Sequence, residues 1–371
     1  MQGSSRGPLD AALLGFANAP YCSSEPGGES MMHIPHRRQT LATDPNRPDL
    51  GDVGVVVIGR NEGRRLIRCL ESLSGSSATI VYVDSNSTDD SVENALGFGA
   101  DVVRLDPARP FTAARARNEG MARLVHLVPG VRFVQFVDGD CEVASGWIQV
   151  ARDHLARDPG VAVVCGRRRE RFPNRSIYNK LCDLEWDTPV GVAAACGGDA
   201  MMRAEAFLSV GGFSAVLTAG EEPELCARLR GRGWRIRRLA DEMTLHDADM
   251  KQLRQWWMRS VRGGYGYAQV WRTTRETAEP LYGREVKRAL GWTAVPVLAL
   301  TALPFSIPLA AALAVAPVGQ VIRLAVKRGP SSGLSWQWAA LTTLSKLPEA
   351  QGVVRYLRDL GRPARSAIQY K

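Results

Sequence analysis

From Val53 to about residue 240, short β-rich apolar runs alternate with longer segments whose apolar residues recur at helical spacing. The runs at Val53–Ile58, Thr79–Val83, Asp101–Leu105, Arg132–Val137 and Val161–Cys165 predict strands. Glu62–Leu73, Thr88–Gly97, Phe111–Val128 and Gly146–Arg157 predict the helices between them. Strand–helix alternation of this kind implies a mostly parallel sheet covered on both faces. Ligands of such sheets bind beyond the carboxyl ends of the strands. Three polar clusters fall at those ends: Gly59-Arg60-Asn61-Glu62, Asp84 to Asp89, and Asp138-Gly139-Asp140. The last is the most informative, because two carboxylates one residue apart at a strand end suit a divalent cation that also holds phosphate. An Asp-Gly-Asp turn without a ligand is the alternative, since both residue types favour turns for backbone reasons.

The ends of the chain follow other patterns. Residues 1–50 are rich in Gly, Ser, Pro and Met, show no sustained periodicity, and read as a disordered leader. Between Arg288 and Arg323 lie 34 residues without a formal charge. One straight helix of that length would span about 51 Å, against a hydrocarbon core of about 30 Å. Pro296, Pro304, Pro308 and Pro317 interrupt the stretch, which predicts a broken helix or helical hairpin. Arg284, Lys287 and Arg288 precede it, and Arg323, Lys327 and Arg328 follow it. The positive-inside tendency then places both ends on the cytoplasmic side. A buried, Ala-rich helical pair is the soluble alternative. Trp336–Leu347 is a further semi-apolar stretch suited to an interface. The expected division is a leader over 1–50, an α/β domain over 51–270, and a basic, apolar, membrane-associated helical tail over 271–371.

Charge sharpens this division. The net charge is +9, yet residues from Lys251 onward carry 18 Lys and Arg against 5 Asp and Glu, leaving the rest at −4. A mildly acidic body with a basic, apolar tail points to an anionic membrane surface. No zinc-finger spacing or other nucleic-acid motif is present, so no nucleic-acid partner is expected. The seven cysteines are scattered and form no CxxC pair, which argues against a disulfide framework or a zinc site and for reduced thiols.

Several motifs, in this order and spacing, resemble the family 2 glycosyltransferases with a GT-A fold, over roughly Val53 to Gln269. Val-Val-Ile-Gly-Arg60-Asn61-Glu62 is similar to the family's first strand and Asn-Glu turn. Asp84-Ser85-Asn86-Ser87-Thr88-Asp89 resembles the Asp-rich turn that receives the nucleotide base, with Ser85 where many relatives carry a second acidic residue. Ala116-Arg117-Asn118-Glu119-Gly120 resembles the Arg-Asn element beside the nucleotide, and Asp138-Gly139-Asp140 the metal-binding DxD motif. The resemblance implies Mg²⁺ or Mn²⁺ as cofactor. It implies Asp140 as the more direct ligand, with Asp138 nearer the ribose or water shell, and His246 as a late metal or diphosphate contact. A structural histidine is the alternative there. In Gly220-Glu221-Glu222-Pro223-Glu224, the family's acidic pair at a helix start, Glu222 is the expected base and Glu221 the second candidate. Early acidic residues are also favoured by the helix dipole alone. Cys196-Gly197-Gly198-Asp199 resembles the small-residue segment lining the donor cleft, where Gly198 permits close approach and Asp199 could bond sugar hydroxyls. Trp186 could stack on a sugar face. Arg254, Trp256, Trp257 and Arg259 lack the spacing of the processive synthases and read as an amphipathic helix near the membrane.

The expected function is a metal-dependent, inverting transfer of one sugar from a UDP-, GDP- or dTDP-linked donor to an acceptor hydroxyl. A glycan or lipid-linked acceptor of an envelope or exopolysaccharide, at a bacterial inner membrane with the catalytic domain cytoplasmic, fits the tail. Two other classes compete. A sugar-nucleotide nucleotidyltransferase would carry a Gly- and basic-rich loop after the first strand, which Gly59-Arg60-Asn61-Glu62-Gly63 does not supply. A non-catalytic scaffold of a polysaccharide assembly complex would have no need for Asp138, Asp140, Glu222 and His246 together.

Overall fold

The computed structural model describes residues 50–360. The leader expected over residues 1–50 lies, except for the buried Leu50, outside the described residues. Nine strands form one sheet: β1 (Val53–Gly59), β2 (Thr79–Asp84), β3 (Asp101–Arg104), β4 (Phe133–Asp138), β5 (Cys141–Val143), β6 (Val161–Glu170), β7 (Gly191–Ala193), β8 (Ala200–Arg203) and β9 (Arg235–His246). Their order is β3-β2-β1-β4-β8-β6-β9-β5, with β7 added on β9. Strands β1 to β4, β6 and β9 run the same way, and β5, β7 and β8 run against them. The mostly parallel α/β sheet expected from the pattern is therefore present. Val53 through Ile58 are all buried, so both faces of the central strand are covered.

Register places the polar clusters. Gly59 pairs with Asp84 on one side of β1, and Ile58 pairs with Asp138 on the other. Between the strands lie α1 (Arg64–Leu73), α2 (Ser91–Gly97), α3 (Ala113–Leu127) and α4 (Trp147–Arg157). Each of these except α4 begins two or three residues later than the periodicity implied. For α1 the cause is visible: Asn61 and Gly63 both have positive φ, so the chain turns sharply before the helix can start. In α3, Thr112 is the N-cap, its hydroxyl accepting from Arg115 N at 3.1 Å.

The second half adds α5 (Ile177–Glu185), α6 (Ala204–Ser209), α7 (Glu221–Gly231) and α8 (Leu253–Thr274). Helix α8 runs past the boundary expected at residue 270. Its tryptophans are not an interface stripe. Trp256 is buried with Cys182 and Met250 and stacks on Tyr178, and Trp257 Nε1 donates to Gln351 Oε1 at 2.8 Å. Arg259 pairs with Glu185 at 2.9 Å. Burial of a planar ring against neighbouring helices outweighed the amphipathic reading. The uncharged stretch becomes α9 (Gly283–Ala302) and α10 (Ile307–Arg328), an antiparallel pair turning around Pro304. Pro308 sits in the first turn of α10, where its missing N–H leaves no broken bond. Helices α11 (Gly333–Leu344) and α12 (Lys346–Asp359) follow. Helix α10 is long and apolar enough to cross a membrane, and 11% of that stretch is buried within the chain.

Helix α12 packs against α8 at a backbone-to-backbone crossing. A Cβ on Gly264 would lie 1.9 Å from the Glu349 carbonyl oxygen, and one on Gly352 would lie 2.0 Å from that of Val261. Helix α8 in turn holds the loop before α7: Gln269 Oε1 accepts from Thr218 N and Oγ1, both at 2.9 Å, and its Nε2 donates to Val216 O at 2.7 Å.

Because backbone cannot yield as a side chain can, Gly264→Ala should destabilise the full chain by about 1–3 kcal/mol. Gly263→Ala, whose Cβ meets nothing within 4 Å, should be neutral or stabilising. Thermal unfolding of the two variants in detergent decides; equal midpoints would contradict the tight crossing.

Candidate active site

At the carboxyl edge of the sheet one guanidinium gathers three carboxylates. Arg117, on α3, is 2% exposed. Its Nη2 donates to Asp138 Oδ1 at 2.9 Å, and its Nη1 to Glu221 Oε1 at 2.8 Å and Glu222 Oε1 at 3.3 Å. The cation also lies 5.4 Å from the Phe213 ring centroid. Helix α7 begins at Glu221 behind Gly220 in the left-handed region, so both glutamates stand in its first turn. The positive helix end and Arg117 together favour acidic residues there. Gly198 closes the group: a Cβ would lie 2.7 Å from Arg117 Nη2 and 2.9 Å from Asp138 Oδ2. Only glycine fits without displacing them.

Strand β8 starts opposite Phe136 of β4, which puts Asp199 beside Asp138. Asp199 is fully buried. Its Oδ1 accepts from the Asp138 backbone N–H at 3.0 Å, and its Oδ2 accepts from Thr244 Oγ1 at 2.8 Å and faces Arg168 Nε at 3.5 Å. Both oxygens are thus engaged by the protein, and the side chain lies beneath the aspartates. The sugar-hydroxyl contact expected of it does not match this placement. Arg168 Nη2 reaches Asp138 Oδ2 at 3.5 Å, and its guanidinium covers the Trp186 ring at 4.8 Å.

The end of β9 builds the other half. His246 is in register with Cys141 of β5 and Glu170 of β6. Its Nε2 is 3.5 Å from Asp140 Oδ1, its Nδ1 is 3.8 Å from Glu170 Oε2, and Trp186 packs edge-on at 4.8 Å. Glu170 is 3% exposed and fixed by Phe172 N, Asn179 Nδ2 and Ala248 N, so it can orient the imidazole. Potential ligand atoms of Asp140, Cys141 and His246 lie within 4.8 Å of one another, as do those of Asp138, Cys141 and Asp199. Carboxylate with imidazole is a donor set that Mn²⁺ accepts readily. Asp138 has both oxygens on arginines, which leaves Asp140 and His246 as the better-disposed pair. The residues therefore fit a divalent cation. Arg168, Glu170 and Thr244 were missed in the sequence, although Arg167-Arg168-Arg169-Glu170 is itself a polar cluster at a strand's carboxyl end.

Beyond Asp138 and Asp140 a cleft runs along Gly59, Arg60, Glu62, Ser85 and Phe111, its empty space about 450 Å³ with open solvent counted. Asp84, 3% exposed, accepts from Ser87 N at 3.0 Å and Tyr82 Oη at 3.3 Å. Asn61 joins the two loops, its N–H donating to Ser87 Oγ at 2.9 Å and its Oδ1 accepting from Thr88 N at 2.7 Å. Arg60 lies over Phe111 at 5.6 Å, and Glu62 pairs with Arg65 at 2.7 Å. Arg60, Asn61, Glu62, Asp84, Arg117, Asp138, Asp140, Gly198, Glu221, Glu222 and His246 thus converge on one edge.

A carboxylate-rich edge with a cation-suited pair beside a cleft is an arrangement for handling anionic phosphates. Residues 54–207 match the family model for glycosyl transferase family 2. Pre-mycofactocin glycosyltransferase of Mycobacterium tuberculosis, from strains CDC 1551 / Oshkosh and ATCC 25618 / H37Rv, is 29% identical over 228 residues, covering 58% of this chain and 47% of the relative. The chain thus spans about half the length of the curated relatives it matches. Mannosyltransferase PcManGT of Pyrobaculum calidifontis, solved with GDP-Man and Mn²⁺, superposes with a TM-score of 0.60 at 18% identity, over 83% of this chain and 87% of that one. That likeness is one of fold, and it establishes the GT-A architecture.

Burial, and then the adjacent Glu221 carboxylate, push Glu222 up to about 7, against the opposing pull of Arg117. Between about pH 4.5 and 7 the unfolded chain ionises this group while the folded one keeps its proton, so stability falls as pH rises through that window. Relative to Glu222→Gln, the wild type should lose melting temperature from pH 4.5 to 7 and run parallel above it. Parallel profiles throughout would show that the carboxyl is not perturbed.

Proposed function

We propose that this chain is a metal-dependent, inverting glycosyltransferase that moves one sugar from a nucleotide-sugar donor to an acceptor hydroxyl. The observation that carries this reading is Arg117 holding Asp138 on one side and Glu221 and Glu222 on the other, with Asp140 and His246 next to them. A group that receives a proton and a group that meets a leaving diphosphate are thereby fixed in one frame. Asp140 and His246 would hold the cation, which would supply positive charge to the departing diphosphate. The cleft past Arg60, Asn61, Glu62 and Asp84 would take the nucleotide, and Gly198 lets Arg117 and Asp138 stand close beneath the sugar.

Glu222 is the base in this reading, because its side chain is the more exposed of the pair, at 17% against 6% for Glu221, and its proton affinity is raised toward neutrality. The acceptor oxygen attacks the anomeric carbon as its proton passes to Glu222. The bond to the phosphate oxygen breaks, and its electron pair leaves with the nucleoside diphosphate. One displacement with one base inverts the anomeric centre. Glu221 stays on Arg117 and keeps the pair apart electrostatically. Arg168, Glu170 and Asp199 are positioning residues. The exposed apolar pair α9–α10, bracketed by basic residues, supports association with an anionic membrane surface and an acceptor presented there.

Nucleoside-diphosphate release should occur in detergent with Mn²⁺ from one member of a panel of UDP-, GDP- and dTDP-sugars. Asp140→Ala should lower it by about two orders of magnitude or more. Release that is unaffected by the substitution and by a chelator would exclude the metal role, and nucleotide-diphosphate binding without release from any donor would favour the scaffold reading.

A further inference from the structure

Helix α12 lies antiparallel to α9. Thr293 Oγ1 donates to the Lys346 carbonyl at 3.1 Å, and Val286 and Val353 share one apolar cluster with Ala268. These two pairings fix which ends meet. Leu347 and Val297 lie toward the α9–α10 turn, and Arg355 and Arg358 lie toward the start of α9. Between the helices runs a groove of about 1570 Å³, partly open solvent, floored by Leu290, Ala294, Val297, Leu347 and Val354. Arg355 and Arg358, three residues apart and so on one face, close one end of it. Both are exposed, and neither makes an ion pair among the described residues. Asp359 also borders that end and leaves one net positive charge there.

The two ends open on different surroundings. The apolar end leads to the α9–α10 turn, where Leu300, Leu303, Phe305 and Ile307 are 72%, 55%, 88% and 71% exposed. The cationic end lies beside the start of α9, where the Tyr282 ring packs at a tilt against Tyr267 at 4.8 Å. A Cβ on Gly220, the residue before Glu221, would lie 3.7 Å from the Tyr282 ring. From Tyr282 to Val297 is about 22 Å along the helix, roughly one and a half times the ~15 Å of one hydrocarbon leaflet. An apolar channel continuous with an exposed apolar turn and ending in two guanidinium groups that make no ion pair among the described residues has the polarity of one kind of molecule. Its chain enters from the bilayer, and its anionic head stops at the arginines.

We propose that this groove binds a single long-chain lipid phosphate, with the chain between α9 and α12 and the phosphate on Arg355 and Arg358. That this lipid is the acceptor rests on the transferase reading above; that it binds does not. A neutral lipid would leave the net positive charge at that end unmatched, and a free anion would make no use of the apolar floor.

The test uses the full chain in phosphatidylcholine nanodiscs, with radiolabelled geranylgeranyl phosphate, geranylgeraniol and inorganic phosphate as probes. Geranylgeranyl phosphate should bind at least about tenfold more tightly than the alcohol. Arg355→Gln with Arg358→Gln should abolish that preference while leaving Asp140-dependent nucleotide release intact. Ala294→Trp should weaken both lipids by filling the groove, and millimolar inorganic phosphate should not compete. Equal binding of phosphate and alcohol, or indifference to the double substitution, overturns the proposal. Full competition by inorganic phosphate would reduce the site to a surface anion contact. Loss of binding as the chain self-associates would assign the groove to a second copy, and either result also overturns it. Lipid-phosphate binding without nucleotide release from any donor would leave the groove standing and remove the transferase reading; the reverse would remove only the groove.

Discussion

The candidate site depends on the single cation of Arg117. Buried beneath the cleft, it bridges Asp138, at the end of a central strand, to Glu221 and Glu222, at the start of a helix more than eighty residues later. Without it, these acidic groups would repel one another in a region of low dielectric. Removing one partner of such a buried group typically costs about 3–5 kcal/mol, since the remaining charges are left uncompensated. The arginine thus serves fold and chemistry together. It leaves the acidic groups in excess, and that excess is what a divalent cation and a phosphate-bearing ligand can complete. Arg168 repeats the device one layer away, joining Asp138 and Asp199 under the Trp186 ring.

How much of this was legible in the sequence follows from how local each signal is. Strands β1, β2 and β4 are dense in Val, Ile and Phe, and the polar residues that end them stand out for that reason. Asp84, Asp138, Asp140 and Asn61 could therefore be located without any fold. Strand β9 offered no such signal, because Arg235-Ile236-Arg237-Arg238 alternates only in part and its middle is acidic. His246 was singled out by the family resemblance, yet its neighbours Cys141 and Glu170 are set by strand register between distant segments. Asp199 shows the opposite failing. Its motif was recognised, but its burial depends on Thr244 and Arg168, which come from β9 and β6.

The tail shows the same division. Its uncharged length and Pro304 announced a helical pair, whereas Pro296 and Pro317, expected to interrupt the stretch, lie inside helices that continue through them. Its attachment to the body was invisible, since Trp256 and Trp257 have the same composition whether they face lipid or protein. Only the partners Tyr178, Cys182 and Gln351, from α5 and α12, decide between these readings.

The crossing of Gly264 with Gly352 has a practical meaning for where this protein ends as a physical object. The recognisable motif covers 154 residues, from 54 to 207, but Glu221 and Glu222 lie outside it. Their approach loop hangs on Gln269, and the helix carrying Gln269 is seated on α12 with no side chain between the two backbones. A fragment trimmed to the motif, or shortened before α12 for the sake of solubility, would bare a strip of α8 that has no Cβ to shield it. The smallest piece worth purifying therefore runs through the tail, and handling it means accepting the apolar helices along with the catalytic edge.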